Sequence, residues 1–100
     1  MAKTYYADYV NHILRFYFRY SPNKGFKNEV DKANYIAADR VIRRLSHNDI
    51  ELLSFVFKQD SNILADNIYA AATRYSQEPV KIWSLISTTT TKIAKERKLL

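Results

Sequence analysis

The chain has no cysteine, one glycine (Gly25) and two prolines (Pro22 and Pro79) among its 100 residues. Without cysteine there are no disulfides and no thiolate metal ligands, a composition that suits a reducing compartment. So few turn residues disfavour an all-β fold, which uses them at every hairpin. A single glycine also rules out a glycine-rich phosphate loop. No stretch approaches the ~18 apolar residues of a membrane span. The opening residues, Met1 to Asp8, lack the apolar run of a signal peptide. We therefore expect a cytoplasmic protein with no membrane partner. No metal site is expected at the two histidines, His12 and His47, and Asp8 with His12 reads as a surface contact. No constellation for catalysis is present, so we expect neither an enzyme nor a cofactor.

What is abundant is apolar residues and positive charge. Hydrophobic residues make up 47% of the chain and aromatics 14%. That is enough for the modest core of one small domain and too much for a disordered chain. The net charge is +6, unevenly spread. Residues 1–44 hold nine basic and four acidic groups, residues 45–91 three and five, and residues 92–100 four and one. A positive field on the first two helices and the tail favours an anionic partner, most often nucleic acid. A basic surface that serves only solubility is the alternative.

Apolar periodicity divides the chain into five helices. The first is expected from about Thr4, its candidate cap, to Tyr20. Tyr5, Tyr6, Tyr9, Val10, Ile13, Leu14, Phe16, Tyr17, Phe18 and Tyr20 leave it apolar over most of its circumference. Such a helix belongs in the middle of a core or in a homodimer interface. Its aromatics beside Arg15 and Arg19 can also stack on single-stranded bases, though core packing or a dimer interface is the stronger account of them. Ser21-Pro22-Asn23-Lys24-Gly25 ends it. The second helix is expected from Asn28, as cap, to Leu45. Its core stripe is Val30, Ala33 or Asn34, Ala37, Val41 and Leu45, flanked by Ile36. The third should run from His47 to Lys58 behind a Ser46 cap, with Ile50, Leu53, Val56 and Phe57 inward. The fourth should run from about Ile63 to Tyr75, capped by Ser61 or Asn62. The fifth, capped by Ser76 and carrying Pro79 in its first turn, is expected to extend as far as Arg97. Thr88-Thr89-Thr90-Thr91 predicts weakening or a bend there, because β-branched residues lose rotamers in a helix. The expected fold is thus all-α, a compact bundle of about five helices in one domain over residues 1–100.

The last two segments also carry the spacing of a helix-turn-helix, over about residues 62–97. A small residue, Ala70, would let the second helix cross closely. Tyr75 would plug the turn, and Val80 and Trp83 would anchor the second helix. The place usually held by glycine has Arg74, and a left-handed backbone there is costly for a residue with a Cβ. The exposed face of the fifth helix would present Gln77, Lys81 and Ser84, residue types that contact base edges and phosphates. Glu78 opposes phosphate, and Ile82 and Leu85 are apolar for a groove-facing surface. An ordinary αα-hairpin fits the same spacing.

Arg40, Arg43 and Arg44 share a face of the second helix and can clamp a phosphate backbone. The same residues suit a helix C-terminus, where cations complement the dipole, and Asp39 can pair with Arg43. Lys92, Lys95, Arg97 and Lys98 form a basic tail able to contact phosphate.

Val41-Ile-Arg-Arg-Leu-Ser-His-Asn-Asp-Ile-Glu-Leu-Leu53, followed by a helix-turn-helix, resembles region 4 of bacterial sigma factors. It is also similar to the small sigma-region-4-like regulators of Gram-positive phages and mobile elements. The resemblance covers about residues 41–98. It implies a transcription regulator that reads double-stranded DNA with the fifth helix through Gln77, Lys81 and Ser84, with RNA polymerase as a further partner. The usual run of basic residues on the recognition helix is missing here. The rival expectation is a helical interaction or dimerisation module, with the aromatic first helix, Ile82 and Leu85 making protein contacts.

Overall fold

A computed structural model describes residues 6–99. Five helices follow one another: α1 Ala7–Arg19, α2 Glu29–Ile42, α3 His47–Lys58, α4 Leu64–Tyr75 and α5 Pro79–Glu96. No strand occurs among the described residues. The all-α bundle expected from the periodicity is therefore the fold. Thr4 and Tyr5, assigned to the start of the first helix, lie outside the described residues.

Local chemistry sets most boundaries. The Asn28 side chain accepts the Asp31 amide at 2.9 Å, and the Ser46 hydroxyl accepts the Asp49 amide at 3.2 Å. Each satisfies one of the amides that a helix start leaves without an acceptor. Pro79 opens α5, where its missing N–H costs nothing. Two assigned caps differ. Ile63 occupies the α4 cap position and no side chain caps it; the Ser61 hydroxyl instead accepts the Ile63 amide at 3.1 Å. Ser76 does not cap α5. It ends α4 in the left-handed region (φ 53°), and the Gln77 amide reaches back to Ala72 O at 3.0 Å. That six-residue closure with a left-handed residue is a Schellman ending.

α1 takes the first of the two places expected for it, the middle of the core. It packs against α2, α3 and α5, with Val10, Ile13 and Leu14 fully buried. Around them sit Leu53, Val56 and Phe57 of α3, Ile68 and Ala71 of α4, and Ile82, Ile86 and Ile93 of α5. Each large side chain so buried contributes roughly 1.5–3 kcal/mol. The aromatics at the end of α1 pack together: Tyr20 lies flat on Phe26 with centroids 4.8 Å apart, and Tyr17 meets Tyr35 of α2 at 4.9 Å.

Three further expectations change. α2 stops at Ile42, not Leu45. Val30 and Ile36 are exposed, because the buried stripe of α2 runs through Asn34, Ala37, Ala38 and Val41. α5 continues as one 18-residue helix through its four threonines. Thr89 and Thr90 are buried there, and the Thr90 hydroxyl donates to Ser87 O at 3.0 Å. Packing outweighs their poor helix propensity.

Candidate nucleic-acid interface

α5 buries Ile82, Ile86, Thr89 and Ile93, at i, i+4, i+7 and i+11. At 3.6 residues per turn, the opposite stripe is Lys81, Ser84, Thr88, Lys92 and Lys95, and every one of these is exposed. From Lys81 to Lys95 the stripe runs about 21 Å at 1.5 Å per residue. Glu96 is the only carboxylate in α5, and it lies at the end of the stripe, not within it.

α2 packs against α5 and ends beside it. Arg44, just past the end of α2, lines a 240 Å³ groove with Val41, Lys92, Lys95 and Glu96. Glu96 is taken up by Arg40 at 3.5 Å, an exposed pair of small worth that leaves most of the Arg40 donors open. Neither Arg44 nor Lys81, Lys92 or Lys95 enters any ion pair found among the described residues. The fold thus gathers Arg40, Arg44, Lys81, Ser84, Lys92 and Lys95 onto one side, and adds Thr88. Thr88 was seen in the sequence only as a weak point of the helix. Its spacing of seven from Lys81 is the signal that places it on the same stripe.

Other assigned contacts go elsewhere. The Arg43 guanidinium turns to Asp39, Nε to Oδ2 at 2.8 Å, and the Tyr17 hydroxyl donates to the other oxygen of that carboxylate at 2.8 Å. Arg43 is therefore paired with a residue of α2 and does not line the groove. Burial raises the Tyr17 pKa well above its ordinary 10.0, and the hydrogen bond to Asp39 raises it further, so Tyr17 remains the neutral donor of this chain. Burial, with the same carboxylate, also raises Tyr35.

Arg97 is a structural residue as well. Its Nε donates to Asn34 Oδ1 at 2.7 Å, and Asn34 Nδ2 donates to the Tyr9 hydroxyl at 3.0 Å. Asn34 is buried, so these bonds tie the end of α5 to α2 and α1 and satisfy a polar group that cannot reach water. Lys98 is exposed and left-handed (φ 58°), with the Leu99 amide closing on Ala94 O at 2.8 Å. Gln77 precedes α5 and lines a recess with Asn48, Glu51 and Leu52 of α3, away from the Lys81 stripe.

The residues assigned to a helix-turn-helix also fall differently. Ala70 is exposed, and it is Ala71 that is fully buried. Val80 is 66% and Trp83 41% exposed, whereas Ile82 is 1% exposed and anchors the helix. The left-handed residue is Ser76, not Arg74, which lies inside α4. Three residues, Ser76 to Glu78, join α4 to α5. Of Ile82 and Leu85, suspected of facing a partner, Ile82 is buried in the core and Leu85 is half-buried against it. Arg15 and Arg19 are drawn to the α3–α4 connection, donating to Ser61 O and Gln59 O. No three His, Asp or Glu side chains among the described residues come together as a metal site, and no helix among them is long and apolar enough to cross a membrane. Comparison with protein-family models, curated proteins and solved structures gives no match to this chain.

Proposed function

We propose that this protein binds double-stranded DNA through the outer stripe of α5 and the adjoining end of α2, and that it acts as a small transcription regulator. The observation that supports this best is the stripe itself. Lys81, Lys92 and Lys95, with Arg44 across the groove, present unpaired cations along about 21 Å of rigid helix. That length is comparable with several phosphate steps of a duplex strand, about 3.4 Å per step along the axis. Lys92, Lys95, Arg44 and Arg40 take the backbone, with Lys98 continuing that surface. Lys81, Ser84 and Thr88, at the other end of the stripe, supply donors and acceptors for base edges in the major groove. Backbone contacts position the protein and the groove contacts select the site. The regulatory role follows the resemblance to sigma region 4, as does the phage or mobile-element setting. A contact with RNA polymerase rests on that resemblance alone, and no residue described above carries it.

Arg43 and Arg44 separate this reading from a general effect of positive charge. They are adjacent in sequence and equal in charge, but only Arg44 lines the groove. In a fluorescence titration with a mixed-sequence duplex near 0.1 M salt, Arg44→Ala is expected to weaken binding about eightfold. That is the counterion-release contribution of one phosphate contact at this salt. Arg43→Ala should stay within about twofold, since its guanidinium is already paired with Asp39 and it does not line the groove. Equal losses from both would mean that the α2–α5 groove is not the contact surface.

A further inference from the structure

The end of α1 and the connection that follows it line an open surface cavity of about 500 Å³, with His12 also on its wall, which the DNA-binding surface does not use. The volume is within the range of small-molecule sites, about 300–1,000 Å³. Its wall is aromatic. Phe16, Arg19 and Tyr20 are at i, i+3 and i+4, so they share one face of the chain as it leaves α1. Phe26, flat against Tyr20 at 4.8 Å, pins the returning connection over that face. Gly25 makes the reversal with a left-handed backbone (φ 63°), which a glycine adopts without steric cost. Lys24 and Lys27, on either side of it, are thereby brought to the rim with Arg19 and Asp31.

The chemistry of this lining is specific in kind. Phe16 meets Tyr20 at 67° and Phe26 at 51°, so among the described residues no ring lies parallel on it, and a planar group can. Three cations face one carboxylate. Arg19 is held in place by its bond to Gln59 O, and Lys24, Lys27 and Asp31 enter no ion pair among those found in the described residues. An aromatic wall, cations for phosphate and a lone carboxylate able to accept from a sugar hydroxyl or an exocyclic amine match one ligand chemistry. We propose that this cavity binds a nucleobase carrying a 5′-phosphate, with the base against Phe16, the phosphate at Lys24, Lys27 and Arg19, and the sugar or base edge at Asp31. Free nucleotides and the end of a single strand both present that group. The site is independent of α5 and of duplex binding.

Gly25 is the only glycine in the chain, so its amide resonance is a ready reporter. The experiment titrates the intact protein with AMP, with a 5′-phosphorylated pentathymidylate, and with adenosine, inorganic phosphate and an acidic peptide as controls. AMP or the pentamer is expected to shift Gly25 and the neighbouring amides at least tenfold more tightly than any control. Lys24→Ala with Lys27→Ala, both exposed and outside the core, should weaken that binding tenfold or more without altering the rest of the spectrum. A pentamer binding at least tenfold tighter than AMP assigns the site to single strands; otherwise it is a nucleotide site. The proposal is overturned if neither probe shifts Gly25 at millimolar concentration, or if inorganic phosphate or the acidic peptide matches them. It is equally overturned if the double variant binds as the wild type does.

Discussion

Replacing Arg44, Lys92 and Lys95 together by Ala is expected to lower affinity for duplex DNA on the order of 10²–10³-fold near 0.1 M salt. The magnitude follows from counterion release: each neutralised phosphate contributes about 0.9 to the salt exponent, so each lost contact costs roughly eightfold at that salt. The slope of log affinity against log salt should flatten by about 2.7 at the same time. The three side chains are exposed, and none belongs to the buried cluster. The variant should therefore keep its helical spectrum and melting temperature. A fluorescence titration beside circular dichroism checks both halves. Affinity within about threefold of the wild type would show that the groove and the end of the stripe are not where phosphate sits.

The largest effect on stability is expected at Phe57. Among the described residues its side chain is the largest that is fully buried. It sits where α3 meets α1, with Phe18 stacked on it at 6.5 Å and 8° between the rings. Phe57→Ala removes that burial and leaves a cavity that the surrounding helices close only in part, a loss of about 3–5 kcal/mol. For a domain of ordinary stability, about 5–15 kcal/mol, that is a large fraction of the total. Urea unfolding should show the midpoint falling by more than 1 M, given a slope of about 1–3 kcal/mol per M. A shift below about 0.5 M would mean that Phe57 does not tie α1 to α3 as described.

Where the fold was legible in the sequence, the cause was local. Asn28 and Ser46 cap helices through bonds to amides three residues away, and Pro79 starts α5 because its ring suits a first turn. Val10, Ile13 and Leu14 form an inward stripe whatever they pack against. The α4–α5 register was not legible in the same way. Ala70, Ala71 and Ala72 follow one another, so a slip of one residue rotates the inward face by about 100° without breaking any apolar pattern. Val80, Ile82, Trp83, Leu85 and Ile86 offer two overlapping stripes, and only the neighbouring helices choose Ile82 and Ile86. Val30 fits the helical period but stands in the first turn of α2, outside the stripe that meets the core.

The interface divides on the same line. Lys81, Lys92 and Lys95 could be placed together from spacing within one helix. The pairing of Arg43 with Asp39, i, i+4 at the end of α2, was legible in the same way, whereas the diversion of Arg97 depends on Asn34, 63 positions earlier. No periodicity within one helix encodes such partners, and they decide which cations face solvent unpaired. The basic residues that looked alike in sequence thus part into those that tie one element to another, such as Arg15 and Arg97, and those left to meet a partner.

The central claim, that the α5 stripe and the end of α2 hold duplex DNA by its phosphates, is tested most directly by wild-type affinity for a mixed-sequence duplex at 50 and 200 mM salt. With Arg40, Arg44, Lys92 and Lys95 each on a phosphate, the log–log slope should be about −3.6 and the affinity should fall on the order of 10²-fold across that range. No binding at 50 mM salt, or a slope near zero, would contradict it.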